Sequence, residues 1–228
     1  MCFPRERDAM DNPFIYILLP LAGYLAGSIP FGMIIGRLNG VDLRTVGSGN
    51  TGATNVTRVL GKAWGYSCFL LDVAKGFGPV FATGLMVHGM RQVPTLPQQA
   101  LWLAVGVGCI LGHVFSFWLK FRGGKGVATA LGVVLGIYPY FTFVGLVAFA
   151  LWILVTLASR YVSVGSIVAA VGFLVLFAAF YFRRLAELWP LGAFAAAMMA
   201  LIIVRHRGNI QRLRAGTENK IGRKKTVS

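Results

Sequence analysis

Six long apolar runs constrain the fold of this chain more than any other feature of its sequence. They span residues 14–38, 63–87, 101–120, 140–159, 162–182 and 188–204. A helix needs about 20 mostly apolar residues to cross a hydrocarbon core of about 30 Å, and each run is close to that length. We therefore predict an all-α polytopic integral membrane protein.

A seventh apolar run, residues 127–137, is too short to cross a bilayer by itself. At about 1.5 Å per residue, it covers about 16 Å. Tyr138-Pro139 follows the run, and proline disfavours a helical conformation at the residue before it. We predict a short helix here that returns to the far face, and so about seven transmembrane helices with glycine-rich cytoplasmic loops.

The scarcity of charge supports this assignment. Only 13% of the residues are charged and 57% are hydrophobic, whereas about a quarter of a soluble domain is charged. The formal net charge of +15 would suggest nucleic-acid binding in a soluble protein. In a membrane protein the positions of the charges along the chain are more informative, and we predict no nucleic-acid partner.

The distribution of Lys and Arg predicts the orientation. Sixteen of the 22 fall on one side, namely Arg37, Arg44, Arg58, Lys62, Lys120, Arg122, Lys125, Arg160 and eight in the tail from Arg205 to Lys225. Five fall on the other side, namely Arg5, Arg7, Arg91, Arg183 and Arg184, and Lys75 lies within a span. Because positive loops remain cytoplasmic, we predict an outer N-terminus and an inner C-terminus in a bacterial inner membrane.

This orientation divides the chain into three parts. Residues 1–13 form a short outer tail, residues 14–205 a membrane domain, and residues 206–228 a basic cytoplasmic tail. The first dozen residues lead into a span with no small-residue cleavage site. We interpret them as an outer tail, or as sequence upstream of a start at Met10, and not as a signal peptide.

The first of three unusual cytoplasmic segments is residues 40–61. Its candidate ligand-binding residues are Gly47, Ser48, Gly49, Asn50, Thr54, Asn55 and Arg58. Glycines let successive backbone N–H groups turn toward an anion, and the Arg58 guanidinium matches phosphate geometry. The pattern favours a phosphate-binding turn over a flexible loop that needs glycine only to bend. The spacing is not that of a Walker loop.

The second segment, residues 112–129, carries Arg122-Gly123-Gly124-Lys125-Gly126 ahead of the short apolar run. A glycine turn that leads into a helix N-terminus and contains a lysine is typical of an anion site. The alternative is an ordinary positive anchor at the membrane edge, which accounts for Lys120 and Arg122. It does not account for three glycines around Lys125.

The third segment, residues 205–222, contains His206, Arg207, Asn209 and Glu218. His206 and Asn209 are three residues apart, so they share a face if the last helix continues past the membrane. The alternative is a solvated basic tail that binds anionic lipid headgroups. We favour that alternative for residues 223–225 and leave both possibilities open for the residues next to the membrane.

Several polar residues are assigned structural roles. Asp72 and Lys75, three apart within a span, are predicted to neutralise each other, with a proton relay as the alternative. His113, near the second segment, is predicted to be a hydrogen-bonded packing residue. His88 lies at the outer face without an evident role.

The sequence favours no metal or cofactor. Its cysteines, Cys2, Cys68 and Cys109, are odd in number and form no CxxC pair, so neither a disulfide framework nor a zinc site is indicated. Few carboxylates lie near the polar segments, which leaves few ligands for Mg²⁺. No Ser-His-Asp or Cys-His arrangement is evident either.

The polar segments together carry a family resemblance. Residues 27–32, 40–61, 112–129 and 205–222 closely resemble the bacterial acyl-phosphate:glycerol-3-phosphate acyltransferase family, the PlsY type. The resemblance implies a seven-helix enzyme of phospholipid biosynthesis that moves an acyl chain from acyl phosphate to the 1-hydroxyl of glycerol 3-phosphate. Its products would be 1-acylglycerol 3-phosphate and phosphate. We expect it to act as a monomer among membrane lipids.

The resemblance also implies roles for individual residues. Ser48, Arg58 and Lys125 would hold phosphate groups, and His206 and Asn209 would complete that site. The residues expected to shape substrate binding are Gly47, Gly49, Asn50, Thr54, Asn55, Gly123, Gly124, Gly126 and Arg207, together with a structural Glu218. Because no nucleophilic side chain is evident, we expect the hydroxyl of glycerol 3-phosphate to attack the acyl donor directly. We expect no acyl-enzyme intermediate.

The main alternative is a transporter of a phosphorylated or anionic solute, because broken helices and glycine loops also occur in transporters. Such a protein should show related halves, and the glycine segments have no second copy. A non-catalytic binder of anionic lipid would need only the basic tail and leaves those segments unexplained.

The predicted orientation can be tested with thiol reagents. In intact cells, Lys125→Cys should react with a membrane-permeant reagent and not with an impermeant one, because the charge bias places residue 125 inside. Labelling of that cysteine by the impermeant reagent would reverse the assigned topology.

Overall fold

The computed structural model describes residues 12–88 and 94–221, with the side chain of His88 left out. Within these residues every regular element is a helix, which confirms the predicted all-α class. Most of the predicted outer tail, together with Arg91 and residues 223–225, lies outside the described residues. The chain forms two compact units, which divide between Thr142 and Phe143.

In the described residues the first unit contains six α-helices. They are α1 (Ile15–Ser28), α2 (Phe31–Leu38), α3 (Ala53–Leu60), α4 (Lys62–His88), α5 (Leu96–Val114) and α6 (Val127–Gly136), with a 3₁₀ turn at Phe117–Leu119. The second unit contains α7 (Thr142–Ser159), α8 (Val162–Phe180), α9 (Trp189–Arg205) and α10 (Arg207–Arg214), with a 3₁₀ turn at Phe182–Arg184. Helix α7 begins at the last residue of the first unit.

Small residues allow the helices of the first unit to approach closely. A Cβ atom on Gly27 of α1 would lie 2.1 Å from the carbonyl oxygen of Cys109 on α5. A Cβ atom on Gly132 of α6 would lie 2.0 Å from the carbonyl oxygen of Val73 on α4. Close backbone contact is a principal source of helix association in lipid. The pairs α1–α5 and α4–α6 therefore form the framework of this unit.

The apolar run at residues 14–38 is not one continuous helix. It breaks into α1 and α2 at Ile29-Pro30, where Ile29 has the non-helical ψ of 118°. Proline supplies no N–H and disfavours a helical residue before it. By length and composition Ile15–Leu38 still qualifies as one candidate span. The break exposes backbone groups inside an otherwise apolar segment.

The sequence predicted a glycine-rich turn in residues 40–61 but no helix, and α3 begins there at Ala53. This helix is amphipathic, and Val56 on its inner face is fully buried. Val56 packs in a cluster with Met33, Leu43 and Cys68. Burial of that apolar face stabilises a helix where glycine content suggested a loop.

The last apolar run of the second unit does not continue into the third polar segment as one straight helix. Helices α9 and α10 meet at 52°. The bend occurs at His206, whose Nδ1 atom lies 2.7 Å from the carbonyl oxygen of Ile202. The imidazole ring of His206 and its backbone N–H therefore share the carbonyl oxygen of Ile202. A side chain that enters the helical hydrogen-bond ladder in this way is a recognised cause of a kink.

The number of spans is resolved in part. In the described residues five helical segments are long and apolar enough to cross a membrane, and the bent pair α9–α10 raises this to six. The short helix α6 has 10 residues, in agreement with the short seventh run. The total of seven transmembrane helices remains a prediction.

The close contact at Gly27 predicts a contrast between two glycine substitutions. Gly27→Ala should lower the melting temperature in detergent, because overpacking at a backbone contact costs about 1–3 kcal/mol. Gly192→Ala on α9 should leave it unchanged or raise it, since the added Cβ would lie 3.6 Å from Phe177 Cε1, an ordinary contact, and alanine favours a helix by about 1 kcal/mol. Equal melting temperatures for the two variants would contradict the packing described for α1 and α5.

Candidate active site

The side chain of Asn55 organises the turn of the first polar segment. Its Nδ2 atom donates to the carbonyl oxygens of Leu43 and Val46, both at 3.1 Å. Its Oδ1 atom accepts from the backbone N–H of Ser48 at 2.8 Å and from Arg58 Nη1 at 3.2 Å. With two donors and two acceptor positions in use, this amide is satisfied within the chain. Asn55 therefore shapes the turn and orients Arg58.

Two glycines flank Ser48 in this turn, and both have left-handed backbones. The φ angles are +65° at Gly47 and +68° at Gly49, a region that side chains rarely adopt. A Cβ atom on Gly47 would also lie 2.2 Å from Asn55 Oδ1. The turn thus presents Ser48 on its exposed side. Asn50, by contrast, accepts a hydrogen bond from the N–H of Gly52 at 2.9 Å, and Thr54 is exposed on α3.

The arginine that precedes the turn is paired locally. Arg44 donates to Asp42 through its side chain, with 2.7 Å between Nη2 and Oδ2. The side-chain hydrogen bond from Arg44 lowers the pKa of the Asp42 carboxyl to about 2, so that carboxyl is ionised at neutral pH. Arg44 is therefore held by a neighbouring carboxylate, and Arg58 is the arginine joined to the turn itself.

The glycines of the second polar segment pack directly against His113. Gly124 donates its N–H to the carbonyl oxygen of His113 at 3.2 Å, and a Cβ atom on Gly124 would lie 2.2 Å from His113 Nε2. A Cβ atom on Gly123 would lie 2.0 Å from the same carbonyl oxygen. Close packing is thus a physical reason for both glycines, in addition to the predicted anion turn.

Helix α6 begins directly after Gly126, at the end of the second glycine-rich turn. Gly126 has a φ of +84°, and its carbonyl oxygen accepts the first helical bond, from Ala130, at 2.7 Å. Lys125 is partly buried between two buried glycines. A lysine here stands next to a helix N-terminus, where the N–H groups favour negative charge.

A small polar opening lies between the two polar segments of the first unit. Thr51 of the first segment and Gly124 of the second both line it. The remaining lining residues are Ser28, Ile29, Pro30, Phe31, Gly32, Asp72, Lys75, His113, Ser116 and Leu119. The fold therefore brings the two glycine-rich segments to one polar opening at the α1–α2 break.

The sequence places His113 near the second polar segment, but it does not place Asp72 and Lys75 near a site. Lys75 Nζ lies 2.7 Å from Asp72 Oδ1, which confirms the predicted pair. His113 Nδ1 lies 3.0 Å from Thr129 Oγ1, which confirms the hydrogen-bonded histidine. The sequence signal available was the polarity of Asp72, Lys75 and His113 within apolar runs. Their common location depends on helix packing.

In the second unit, Glu218 gathers the residues of the third polar segment. Its carboxylate accepts from Ser163 Oγ at 3.1 Å, Asn209 Nδ2 at 2.5 Å and Arg212 Nε at 2.7 Å. Burial raises the pKa of Glu218, but the hydrogen bonds from Asn209 and Arg212 outweigh it, and the pKa is lowered overall. This arrangement supports the structural role expected for Glu218.

His206 and Asn209 are both buried, whereas Arg207 is exposed at the start of α10. Because a carbonyl oxygen only accepts, the Nδ1 atom of His206 must donate to Ile202. In the neutral imidazole this leaves Nε2 as the acceptor nitrogen. The bend thus selects one tautomer of His206.

In the described ranges 12–88 and 94–221, no three His, Cys, Asp or Glu side chains gather as metal ligands. Cys68 and Cys109 are free thiols, both fully buried, as expected for packing residues. The expectation that the protein uses no cofactor remains a prediction.

Comparison with known proteins gives consistent matches over most of the chain. Residues 17–216 match the family described as glycerol-3-phosphate acyltransferase. A glycerol-3-phosphate acyltransferase of Anaeromyxobacter dehalogenans strain 2CP-1 is 44% identical over 214 residues, which are 93% of this chain and 100% of the relative. One of Geobacter metallireducens is 47% identical over 207 residues, 90% of this chain and 97% of the relative.

Two solved structures are also similar. Both are crystal structures of PlsY (YgiH), described as an integral membrane glycerol 3-phosphate acyltransferase. The glycerol 3-phosphate form has a TM-score of 0.78 and 42% identity, covering 91% of this chain and 96% of that chain. The lysophosphatidic acid form has a TM-score of 0.76 and 40% identity, covering 91% and 95%.

The hydrogen bonds of Glu218 predict an acid-dependent stability. Since its folded pKa is lowered, its contribution is present above the unfolded value of about 4.3 and is lost as pH falls through the folded pKa. Glu218→Gln should therefore melt below the wild type at pH 7, and the difference should shrink as the pH falls below about 4.

The matched control is Glu187→Gln, which removes an exposed pair with Arg184. Such surface pairs contribute about 0–1 kcal/mol, so its melting temperature should stay close to the wild type at both pH values. A constant difference between Glu218→Gln and wild type from pH 7 to pH 3 would refute the role assigned to the carboxylate.

Proposed function

Because this chain belongs to the glycerol-3-phosphate acyltransferase family, we propose that it transfers an acyl chain from acyl phosphate to the 1-hydroxyl of glycerol 3-phosphate. The hydroxyl oxygen forms a bond to the acyl carbon, and the bond from that carbon to the phosphate oxygen breaks. The products are 1-acylglycerol 3-phosphate, which is lysophosphatidate, and inorganic phosphate.

One observation carries this proposal beyond the family match. Thr51 of the first glycine-rich segment and Gly124 of the second line one polar opening beside apolar helices, while the cations of these segments, Arg58 and Lys125, are not among its lining residues. Both proposed substrates carry a phosphate, and one also carries a long acyl chain. Anion-binding turns next to a lipid-facing surface suit that combination.

The chemistry requires neutralisation of charge more than a strong base, because phosphate is a good leaving group. Arg58, oriented by Asn55, offers a forked donor for phosphate oxygens. Lys125 adds a point charge beside the N-terminus of α6. The exposed Ser48 contributes a hydroxyl donor from the turn. Each assignment follows a match to the family's motifs.

The same motif matches assign His206 and Asn209 to this reaction. Asn209 is held by Glu218, so it presents a fixed amide. The hydroxyl proton passes either to the acceptor nitrogen of His206 or to the leaving phosphate itself. Direct attack requires no covalent acyl-enzyme, in agreement with the lack of an evident nucleophile in the sequence.

The proposed location is the cytoplasmic face of a bacterial inner membrane. It rests on the sixteen-to-five division of Lys and Arg between the two sides, which follows the positive-inside rule. On that face the protein can take soluble glycerol 3-phosphate from the cytoplasm and the acyl chain from the bilayer.

Purified protein tests the proposal directly. Palmitoyl phosphate and glycerol 3-phosphate should yield lysophosphatidate and phosphate in equal amounts, and acyl carrier protein or acyl-CoA should serve poorly as donors. Equal rates with acyl carrier protein would refute the donor assignment. Uptake of a phosphorylated solute into proteoliposomes without lysophosphatidate formation would indicate the transporter instead.

The two cations of the glycine-rich turns should be essential for turnover. Loss of one partner from a desolvated charged contact costs about 2–5 kcal/mol, or about 30- to 4,000-fold. Arg58→Ala and Lys125→Ala should each lower kcat/KM by at least about 30-fold. Arg58→Lys should restore only part of the activity, because lysine cannot form a two-pronged contact.

The control for these variants is Arg214→Ala, an exposed cation at the end of α10. A solvated charge near lipid contributes about 1 kcal/mol, so its effect should be at most about fivefold. All variants are compared at equal amounts of folded, monodisperse protein. Wild-type kinetics in both Arg58→Ala and Lys125→Ala would refute the phosphate-binding assignment even if the enzyme class were correct.

A further inference from the structure

Three ionisable side chains are buried together in the first unit. Asp72 is 2% exposed, Lys75 is 7% and His113 is 8%. Asp72 Oδ1 lies 2.7 Å from Lys75 Nζ and 3.7 Å from His113 Nδ1. Burial of such a group is costly, and apolar residues of similar volume often stabilise a fold at least as well. Stability alone therefore gives a weak reason for placing these three residues here.

Lys75 connects the cluster to the first glycine-rich turn. Its Nζ atom donates to the carbonyl oxygen of Ile29 at 2.7 Å, in the break between α1 and α2. Gly32, three residues later, packs against the turn, since a Cβ atom on Gly32 would lie 1.9 Å from the carbonyl oxygen of Thr51. A continuous set of contacts thus runs from Asp72 through Lys75 and the helix break to Thr51.

His113 connects the cluster to the second glycine-rich turn. Its Nδ1 atom is 3.0 Å from Thr129 Oγ1 in the first turn of α6. Its Nε2 atom faces Gly124, and its carbonyl oxygen accepts the N–H of Gly124. His113 therefore contacts the chain on both sides of Lys125, one residue before it and four residues after it.

We propose that Asp72, Lys75 and His113 form a buried brace. The brace holds the two phosphate-binding turns at the distance from each other that acyl transfer requires. They are positioning residues for the acyl transfer, acting through the turn to which Asn55 joins Arg58 and through the turn that contains Lys125. This inference rests on the proposed function. In addition to neutralising buried charge, the three residues would then determine the geometry of the site.

The brace predicts that the effects of substituting His113 and Lys125 on activity depend on each other. A cluster that only stabilised the fold would not produce this dependence. If His113 acts by placing Lys125, its removal should matter little once Lys125 is already gone. Residues that act as one unit give strongly non-additive losses, whereas independent effects on activity multiply. A double-mutant cycle between positions 113 and 125 separates the two cases.

The experiment measures kcat/KM for palmitoyl phosphate and glycerol 3-phosphate in four proteins: wild type, His113→Ala, Lys125→Ala and the double variant. A displacement of about 1 Å can cost about 100-fold in rate, and we expect a loss of about that size for His113→Ala. In the Lys125→Ala background the same substitution should cost less than about threefold. Thermal melting of each protein shows whether it is folded.

A second pair of variants covers the case in which His113→Ala does not fold. In His113→Asn the asparagine amide can replace the Nδ1 atom in the hydrogen bond to Thr129. This variant should therefore retain kcat/KM within about tenfold of wild type. Asp72→Asn with Lys75→Met removes both charges together, so no unpaired ion remains buried. This double variant should fold yet lose at least about tenfold in kcat/KM, because the bond to Ile29 is gone.

Thr83→Val is the matched control. Thr83 is also a buried polar residue on α4, and within the described part of the chain its hydroxyl donates a hydrogen bond inside that helix, to the carbonyl oxygen of Pro79. Its kcat/KM should stay within about threefold of wild type.

The outcomes separate the brace from the proposed function. Losses at positions 113 and 125 that multiply in the double variant, or full activity in the folded Asp72→Asn/Lys75→Met protein, would overturn the brace while the enzyme assignment stood. Absence of acyl transfer by the wild type would overturn the proposed function itself.

Discussion

Close contact between helix backbones is the constraint on which the first unit depends. At Gly27 and Gly132 a single added Cβ would approach a carbonyl oxygen of the neighbouring helix to about 2 Å. In lipid there is little hydrophobic gain from pairing apolar helices, so such contacts supply much of the association. Contacts of the same kind occur at the glycine-rich segments, where Gly32 packs against Thr51 and Gly124 packs against His113.

Buried polar side chains then organise the chain where helices end. Asn55 uses its amide to hold one turn, and Glu218 uses its carboxylate to gather the third segment in the second unit. In both cases a buried group is satisfied by several partners, as low dielectric requires. Residues that a motif match assigns to substrate binding can thus act by shaping the backbone.

The sequence predicted most of the elements but missed some of their boundaries. The apolar runs identified the long helices, and the spacing of Asp72 and Lys75 identified their pair. Helix α3 was missed because glycine and hydroxyl residues masked an eight-residue amphipathic pattern. The bend at His206 was missed because it depends on a ring that bonds its own helix, which periodicity does not reveal.

By itself the sequence determined the membrane class, the family and the residue types at the candidate site, since hydropathy, charge bias and long motifs are local properties of the chain. Only the tertiary structure decided that Thr51 and Gly124, far apart in sequence, line one opening with Asp72, Lys75 and His113. That juxtaposition depends on how closely α1, α4, α5 and α6 pack. Packing distance is a property of pairs of helices, which no single segment encodes.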